Sequence, residues 1–331
     1  MLFSIVIPTY NAEKTITKCL NSVFKQNFSN FELIMVNDCS TDKTTEIINQ
    51  YTLKHHNLKH IKLAKNSGPA AARNRGVRES QGEIIIFIDS DVTFIDSDAL
   101  NNLAKIFEQR LDIASVVMIK DKIPLNQGLT PLFWGYYKYY LWNQPSEYQT
   151  SFTTERSAIK KEIFEKIGYF DEKYKKADVE DFEFGYRLTS QGHKILIARH
   201  IKVGHHFETF KQTVKKTLKR SWQWIRLFWK RKKFDNVYST KERGVKTLIG
   251  ATLIPLLILS IIIFPVFFIF IVFLFIYIIY NFKFHIFLIH EKMKKYILPF
   301  MCLDIFICFL TALGASTSLI CLFLQPKNKY D

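Results

Sequence analysis

Gly82-Glu-Ile-Ile-Ile-Phe-Ile-Asp-Ser-Asp91 is the stretch on which the reading of this chain turns. Ile84 to Ile88 run without a polar break, between a glycine and a group of acids. Such a run reads as a strand buried on both faces, the signature of a parallel sheet. In open α/β sheets, ligands bind beyond the carboxyl ends of strands. This strand ends in Asp89-Ser90-Asp91. Two carboxylates there can hold a divalent cation, and the cation can hold a diphosphate. Aspartates also make turns and cap helices, so the triplet has to be weighed with its neighbours.

Upstream of this strand, strand and helix patterns alternate. Phe3 to Pro8 reads as a first strand, and Ile16, Cys19, Leu20, Val23 and Phe24 then fall on one helical face. Phe31 to Val36 reads as a second strand, followed by a helix that Thr41 or Asp42 can cap and that runs to about His55. Leu58 to Ala64 is a third strand, and Asn66-Ser67-Gly68-Pro69 turns into a helix carrying Ala70 to Gly76. A helix over Asp98 to Gln109 and a strand over Ile113 to Ile119 extend the pattern. Alternation with short connections predicts an α/β domain with a doubly wound, mostly parallel sheet.

At 331 residues the chain has room for one such domain plus extras, and the last third is mostly hydrocarbon. Leu248 to Phe282 and Tyr296 to Leu324 are each long enough to cross a bilayer, which takes roughly 20 residues. Pro265 splits the first into two short spans or a re-entrant hairpin, and Asp304 lies inside the second. If all three segments cross, the C-terminus lies outside. Met1 to Pro8 lacks the basic start and the length of a signal peptide, which keeps the N-terminal domain in the cytoplasm. Cys19, Cys39, Cys302, Cys308 and Cys321 show no metal-ligand spacing and no disulfide framework. The net charge is +16, and ten Lys or Arg with no acid fall between Lys211 and Lys233, interleaved with Trp222, Trp224, Phe228 and Trp229. Just ahead of a membrane segment, this pattern fits an amphipathic helix on an anionic leaflet better than a nucleic-acid surface.

Candidate chemistry sits at the strand ends. Asp38 can accept the ring N–H of a nucleotide base or cap a helix, and Thr9 and Tyr10 can frame the same base or its ribose. Arg73 follows three alanines at the start of a helix, where a guanidinium can grip a phosphate. Glu180 and Asp181 open another helix; acids are favoured there by the helix dipole, and one of them can take a proton from an attacking hydroxyl. His205 and His206 are metal-ligand candidates as well as ordinary structural histidines. Trp134 and Trp142 belong to an aromatic run over 124–154 that can stack on a sugar or lipid, or simply pack.

Together these pieces resemble the family 2 inverting glycosyltransferases of GT-A fold. The resemblance rests on Val6-Ile7-Pro8-Thr9-Tyr10-Asn11, Val36-Asn37-Asp38-Cys39-Ser40-Thr41-Asp42, Gly68 to Gly76, Phe87-Ile88-Asp89-Ser90-Asp91, Ile167 to Glu172, and Glu180 to Phe184 with Arg187-Leu188. It covers roughly residues 2–207, with two departures, Cys39 and Tyr169, each where a Gly is usual. Cys39 is tolerated if its turn does not need positive φ. The resemblance implies that Pro8, Thr9, Tyr10 and Asp38 contact the nucleoside of a nucleotide-sugar, with UDP favoured. It implies that Arg73 contacts the base or diphosphate, that Asp89 and Ser90 lie at the donor, and that Asp91 binds Mn²⁺ or Mg²⁺. It also implies that Asp181 is the general base, with His205 or His206 completing the metal or phosphate site and Glu180, Trp134 and Trp142 on the acceptor side.

The expected organisation is a glycosyltransferase domain over 1–207, with a donor half 1–120 and an acceptor half 121–207. A basic interfacial segment follows over 208–246, then a membrane region over 247–325 with segments 247–264, 266–282 and 296–324. The expected partners are a nucleotide-sugar, a lipid-linked or membrane-proximal acceptor and an anionic membrane surface, without nucleic acid. The implied setting is cell-envelope polysaccharide synthesis at the inner membrane. Nucleotidyl transfer wants a glycine-rich loop after strand one, where this chain has Pro8-Thr9-Tyr10-Asn11. A non-catalytic scaffold is disfavoured by the intact Asp38, Asp91 and Asp181.

Overall fold

The computed structural model describes residues 1–144, 146–174, 179–231 and 240–324, without the side chains of residues 223, 224, 226–231 and 322–324. Residue 325, Lys232 and Lys233 of the basic run, and the side chains of Trp224, Phe228 and Trp229 therefore lie outside the described residues. The chain divides into two compact units, residues 1–125 with 142–206, and residues 126–141 with 207–331.

The first unit is built on one sheet. Strands β1 (Phe3–Thr9), β2 (Phe31–Asn37), β3 (Leu58–Lys62) and β4 (Ile84–Ile88) are joined by helices α1 (Ile16–Phe24), α2 (Thr44–Thr52) and α3 (Pro69–Arg78). Then come β5 (Val92–Phe94), α4 (Ala99–Gln109), β6 (Ile113–Lys120), α5 (Leu129–Trp142), β7 (Tyr148–Gln149), β8 (Arg156–Lys160), α6 (Lys161–Ile167), α7 (Glu180–Ser190) and β9 (Lys194–His205). The strand order is β3-β2-β1-β4-β8-β6-β9-β5, with β7 on β9. The first four strands pair in parallel. Beyond β4 the sheet is mixed: β8 inserts antiparallel between β4 and β6, and β6 pairs in parallel with β9. All five residues of β4 are buried, as an uninterrupted apolar run in a covered sheet requires.

The two faces of the sheet have different cores. Phe3, Ile5 and Ile7 alternate inward with Leu33, Met35, Ile86 and Ile88 against Ile16, Cys19, Leu20 and Val23 of α1 and the apolar face of α4. On the other face, Gly76 of α3 lies so close to β1 that a Cβ there would stand 2.3 Å from Val6 Cγ1. Phe87, Phe152, Phe164, Phe170 and Phe184 form an aromatic layer on that face, with ring centroids 4.9–6.1 Å apart. This layer docks α7 and so fixes the position of its first turn.

The second unit is helical: α8 (Phe210–Arg231), α9 (Lys241–Ile262), α10 (Val266–His290) and α11 (Ile297–Leu324), with most of α5. Three of these helices are long and apolar enough to cross a membrane, in the stretches Lys241–Ile262, Val266–His290 and Lys294–Cys321. Pro265 separates α9 from α10, as the sequence suggests, but α10 continues to His290, past residue 282 where that segment was expected to end. Phe133, Tyr136 and Tyr137 of α5 pack with Phe284, Leu288, Phe300 and Leu303, so this part of the aromatic run is core. Asp304 meets a lysine: Lys246 Nζ lies 2.6 Å from its carboxylate, and Tyr137, Tyr277 and Asn281 complete the buried cluster.

Candidate active site

Two parallel strands bring the nucleoside-side residues together. In the β1–β2 register Thr9 stands opposite Asn37, and the Asp38 N–H donates to the Thr9 carbonyl at 2.8 Å. Thr9 is buried, Pro8 is partly buried and Tyr10 is 52% exposed at the rim. The buried Asp38 carboxylate accepts the backbone N–H groups of Ser67 at 2.7 Å and Gly68 at 2.9 Å. Gly68 has φ 91°, which the turn into α3 needs and glycine adopts without strain. Asp38 thus ties β2 to the start of α3 and retains one acceptor site on each oxygen for another donor. Cys39 has φ 63°. The turn does use positive φ, so this departure from glycine places a side chain in a left-handed conformation.

Arg73, one turn into α3, is buried and reaches two carboxylates. Its Nη2 lies 2.7 Å from Asp89 at the end of β4, and its Nη1 lies 3.4 Å from the buried Glu180 at the start of α7. Burial alone would lower its pKa; Asp89, Glu180 and, more weakly, Asp181 hold it above the ordinary value. The guanidinium Nε–H is buried without a hydrogen-bond partner. Arg73 and Glu180, expected at the diphosphate and on the acceptor side, are here joined in an ion pair. Asp181 follows at the N-terminus of α7, partly exposed, its Oδ1 accepting the Phe182 N–H at 2.9 Å.

Antiparallel pairing of β5 with β9 sets Val92 opposite His205 and so brings His205 beside Asp91. His205 Nε2 stands 3.8 Å from the Asp91 carboxylate and 3.4 Å from Glu155. His206 meets Asp91 only at its backbone carbonyl, 3.4 Å from Nδ1. Of the two histidines, His205 is therefore the one at the carboxylate. Burial raises the Asp91 pKa, and the carboxylates of Asp89 and Glu155 raise it further, against His205 and Lys120. Glu155 is the opposite case. Burial pushes its carboxyl up, yet Lys120 at 2.8 Å and Arg156 hold it well below the usual range.

Among the described residues, no three His, Cys, Asp or Glu side chains converge as a ready-made metal site. The donors still fit a hard divalent ion. Mg²⁺ is commonly bound by one or two carboxylates together with substrate phosphates and water, not by a full protein cage. Burial first, and then the carboxylates of Asp89 and Glu155, disfavour the charge on Asp91, and a bound cation would offset both. Asp91 and His205 are the residues placed to hold it.

Sequence reasoning missed Glu155, Lys120 and Arg156. Their only sequence signal is the adjacent opposite charges Glu155-Arg156 ahead of a short strand. Ser90 is partly buried between the two aspartates. Trp142, offered as an acceptor platform, is 1% exposed and covered by Arg156, whose guanidinium carbon lies 4.4 Å from the ring centroid. Trp134 belongs to the helical unit, where its Nε1–H donates to Thr213 Oγ1 at 2.9 Å.

Residues 4–168 match the family model Glycosyl transferase family 2. Over 125 residues the chain is 42% identical to the poly(ribitol-phosphate) beta-N-acetylglucosaminyltransferase TarS of Staphylococcus aureus, covering 37% of this chain and 21% of that protein. Over 103 residues it is 45% identical to the poly(ribitol-phosphate) beta-glucosyltransferase of Bacillus spizizenii, covering 30% of this chain and 16% of that protein. The chain thus spans about a fifth of the length of these relatives. Among solved structures, TarS in complex with UDP-GlcNAc superposes with a TM-score of 0.50 at 25% identity, covering 64% of this chain and 60% of that one. The mannosyltransferase PcManGT of Pyrobaculum calidifontis, in complex with GDP-Man and Mn²⁺, superposes with a TM-score of 0.56 at 19% identity, covering 71% and 65%, a likeness of fold. The mixed sheet is that of the GT-A glycosyltransferases, and through residues 4–168 the chain belongs to glycosyl transferase family 2.

Proposed function

We propose that the chain is a membrane-anchored inverting glycosyltransferase. It takes a sugar from a nucleotide-sugar, UDP-linked in the first instance, and passes it to a membrane-associated acceptor such as polyprenyl phosphate or a lipid-linked glycan. The setting is cell-envelope polysaccharide synthesis, with the catalytic unit on the cytoplasmic face of the inner membrane. One observation carries the reading: Arg73 draws the end of β4 and the start of α7 to one point, although Asp89 and Glu180 are 91 residues apart in sequence. The named activities of the relatives and the UDP-GlcNAc complex of TarS support the reaction class and the donor.

Each residue has a physical task. Asp38, with Thr9, Tyr10 and Pro8, receives the nucleoside. Arg73 holds Asp89 in place through its ion pair, with Ser90 beside it. Asp91 and His205 hold Mn²⁺ or Mg²⁺, which when bound neutralises charge on the leaving diphosphate. Asp181 accepts the proton of the acceptor hydroxyl as that oxygen attacks the anomeric carbon from the face opposite the diphosphate. A single displacement inverts the anomeric centre. The N-terminus of α7 favours Asp181 as a carboxylate, the form a base requires. Incubating membranes that contain the chain with radiolabelled UDP-sugars tests the proposal. The expected result is label in the lipid extract, dependent on Mn²⁺ or Mg²⁺; label confined to water-soluble products contradicts a lipid-linked acceptor.

A further inference from the structure

Over one axial stretch the helical unit changes in chemistry from side to side, where a membrane-crossing bundle would keep one chemistry at one depth. Helix α8 runs beside α11 in the same direction and in step. Phe210 stacks on Phe306 with centroids 5.7 Å apart, the Leu218 carbonyl lies against Gly314, and Ser318 Oγ donates to the Trp222 carbonyl at 2.9 Å. Helix α9 also packs along α11, with Lys246 at Asp304 and Gly250 against Cys308. At equal rise, Ser318 is level with the neighbourhood of Ser260 on α9. The two flanking helices therefore share one axial stretch of α11. Over that stretch α8 turns Lys211, Lys215, Lys219 and Arg220 outward, all exposed. Over the same stretch α9 exposes Leu257, Ile258 and Leu259.

The turn between α9 and α10 adds a second, independent observation. No polar residue occurs from Ile261 to Ile276. Ile261, Ile262, Phe264 and Phe268 are 81%, 77%, 69% and 62% exposed at the tip of this hairpin. A hairpin that crosses a bilayer presents its turn to water, and this one has nothing to present. An upright bundle would also hold the α8 cations at the depth of its own hydrocarbon-facing residues, where Lys and Arg are strongly disfavoured.

The geometry points to a unit that lies along one leaflet instead of crossing the bilayer. The α9–α10 hairpin is sunk among the acyl chains, and α8 lies level with the headgroups, its cationic row on the phosphates of anionic lipids. Residues before α9 and after α11 then lie on the same side of the membrane. Three crossings would place them on opposite sides.

The test uses the full chain in sealed proteoliposomes, with protease-cleavable tags at both ends and Cys302 and Cys321 replaced by Ser. None of its readouts depends on transferase activity. Protease added outside is expected to remove both tags from the same molecules. Lys215→Cys and Lys219→Cys are expected to react with an impermeant maleimide from that side only, while Phe268→Cys stays unreactive. The wild-type chain is expected to co-purify with phosphatidylglycerol, and the triple variant Lys215→Gln, Lys219→Gln, Arg220→Gln is expected to lose it. Tags cut from opposite sides overturn the proposal. So does labelling of residues 215 and 219 from both sides or from neither, or unchanged phosphatidylglycerol in the triple variant.

Discussion

Burial and two neighbouring carboxylates disfavour the charged form of Asp91. Its folded-state pKa lies above that of an unfolded aspartate, about 3.9, so folding favours the protonated form. The linkage follows from that sign. The stability associated with the protonated group is fully present below the unfolded value and is lost as pH rises through the folded one. Asp91→Asn should therefore raise the melting temperature at neutral pH, and the gap to wild type should close on acidification, as read from melting curves against pH. The same variant should lose divalent-ion binding if, as proposed, the ionised oxygen is the ligand. Cys39 is strained in a different way. A left-handed non-glycine residue costs about 1–2 kcal/mol, so Cys39→Gly should stabilise the chain by about 1 kcal/mol in a denaturant titration. Its thiol had looked small enough for the turn, but only φ decides that, and φ is not visible in a single sequence. The strand ahead of Asp91, in contrast, was legible, because Ile84 to Ile88 are five buried apolar residues in a row. Glu155 was not, because its partners Lys120 and His205 come from β6 and β9, joined only by long-range pairing.

At the scale of elements, the parallel half of the sheet was legible and the mixed half was not. Strands β1 to β4 are apolar runs closed by turn residues, and each predicted run matches a strand to within two residues at either end. Strand β8 is only Arg-Ser-Ala-Ile-Lys, too short and too polar to declare itself, yet it sits between β4 and β6. Strand β9 interleaves Arg199, His200 and Lys202 with its buried residues, so its pattern is diluted. The helical unit has its own test in the buried Lys246–Asp304 pair. Removing one member of such a pair strands a charge and typically costs about 3–5 kcal/mol, whereas replacing both with apolar residues is often neutral. Asp304→Leu should thus sharply lower the melting temperature of the detergent-solubilised chain. Lys246→Met combined with Asp304→Leu should recover most of the loss.

At the scale of the molecule, two compact units divide the work: a sheet with an acidic site at its strand ends, and a helical unit rich in exposed hydrocarbon. Residues 126–141 lie between β6 and β7 in sequence but belong to the helical unit, whereas the extent of the family resemblance had drawn a single division at residue 207. The central claim is chemical: Asp181 is the base of an inverting transfer whose donor is held by other residues. The most direct measurement compares Asp181→Asn with wild type for turnover of the nucleotide-sugar and, on the same preparations, for donor affinity. The account predicts turnover lowered by about 10²–10⁴-fold, the usual contribution of a general base, with donor affinity within about twofold of wild type. A variant that keeps most of its turnover, or that loses donor binding in step with turnover, would contradict it.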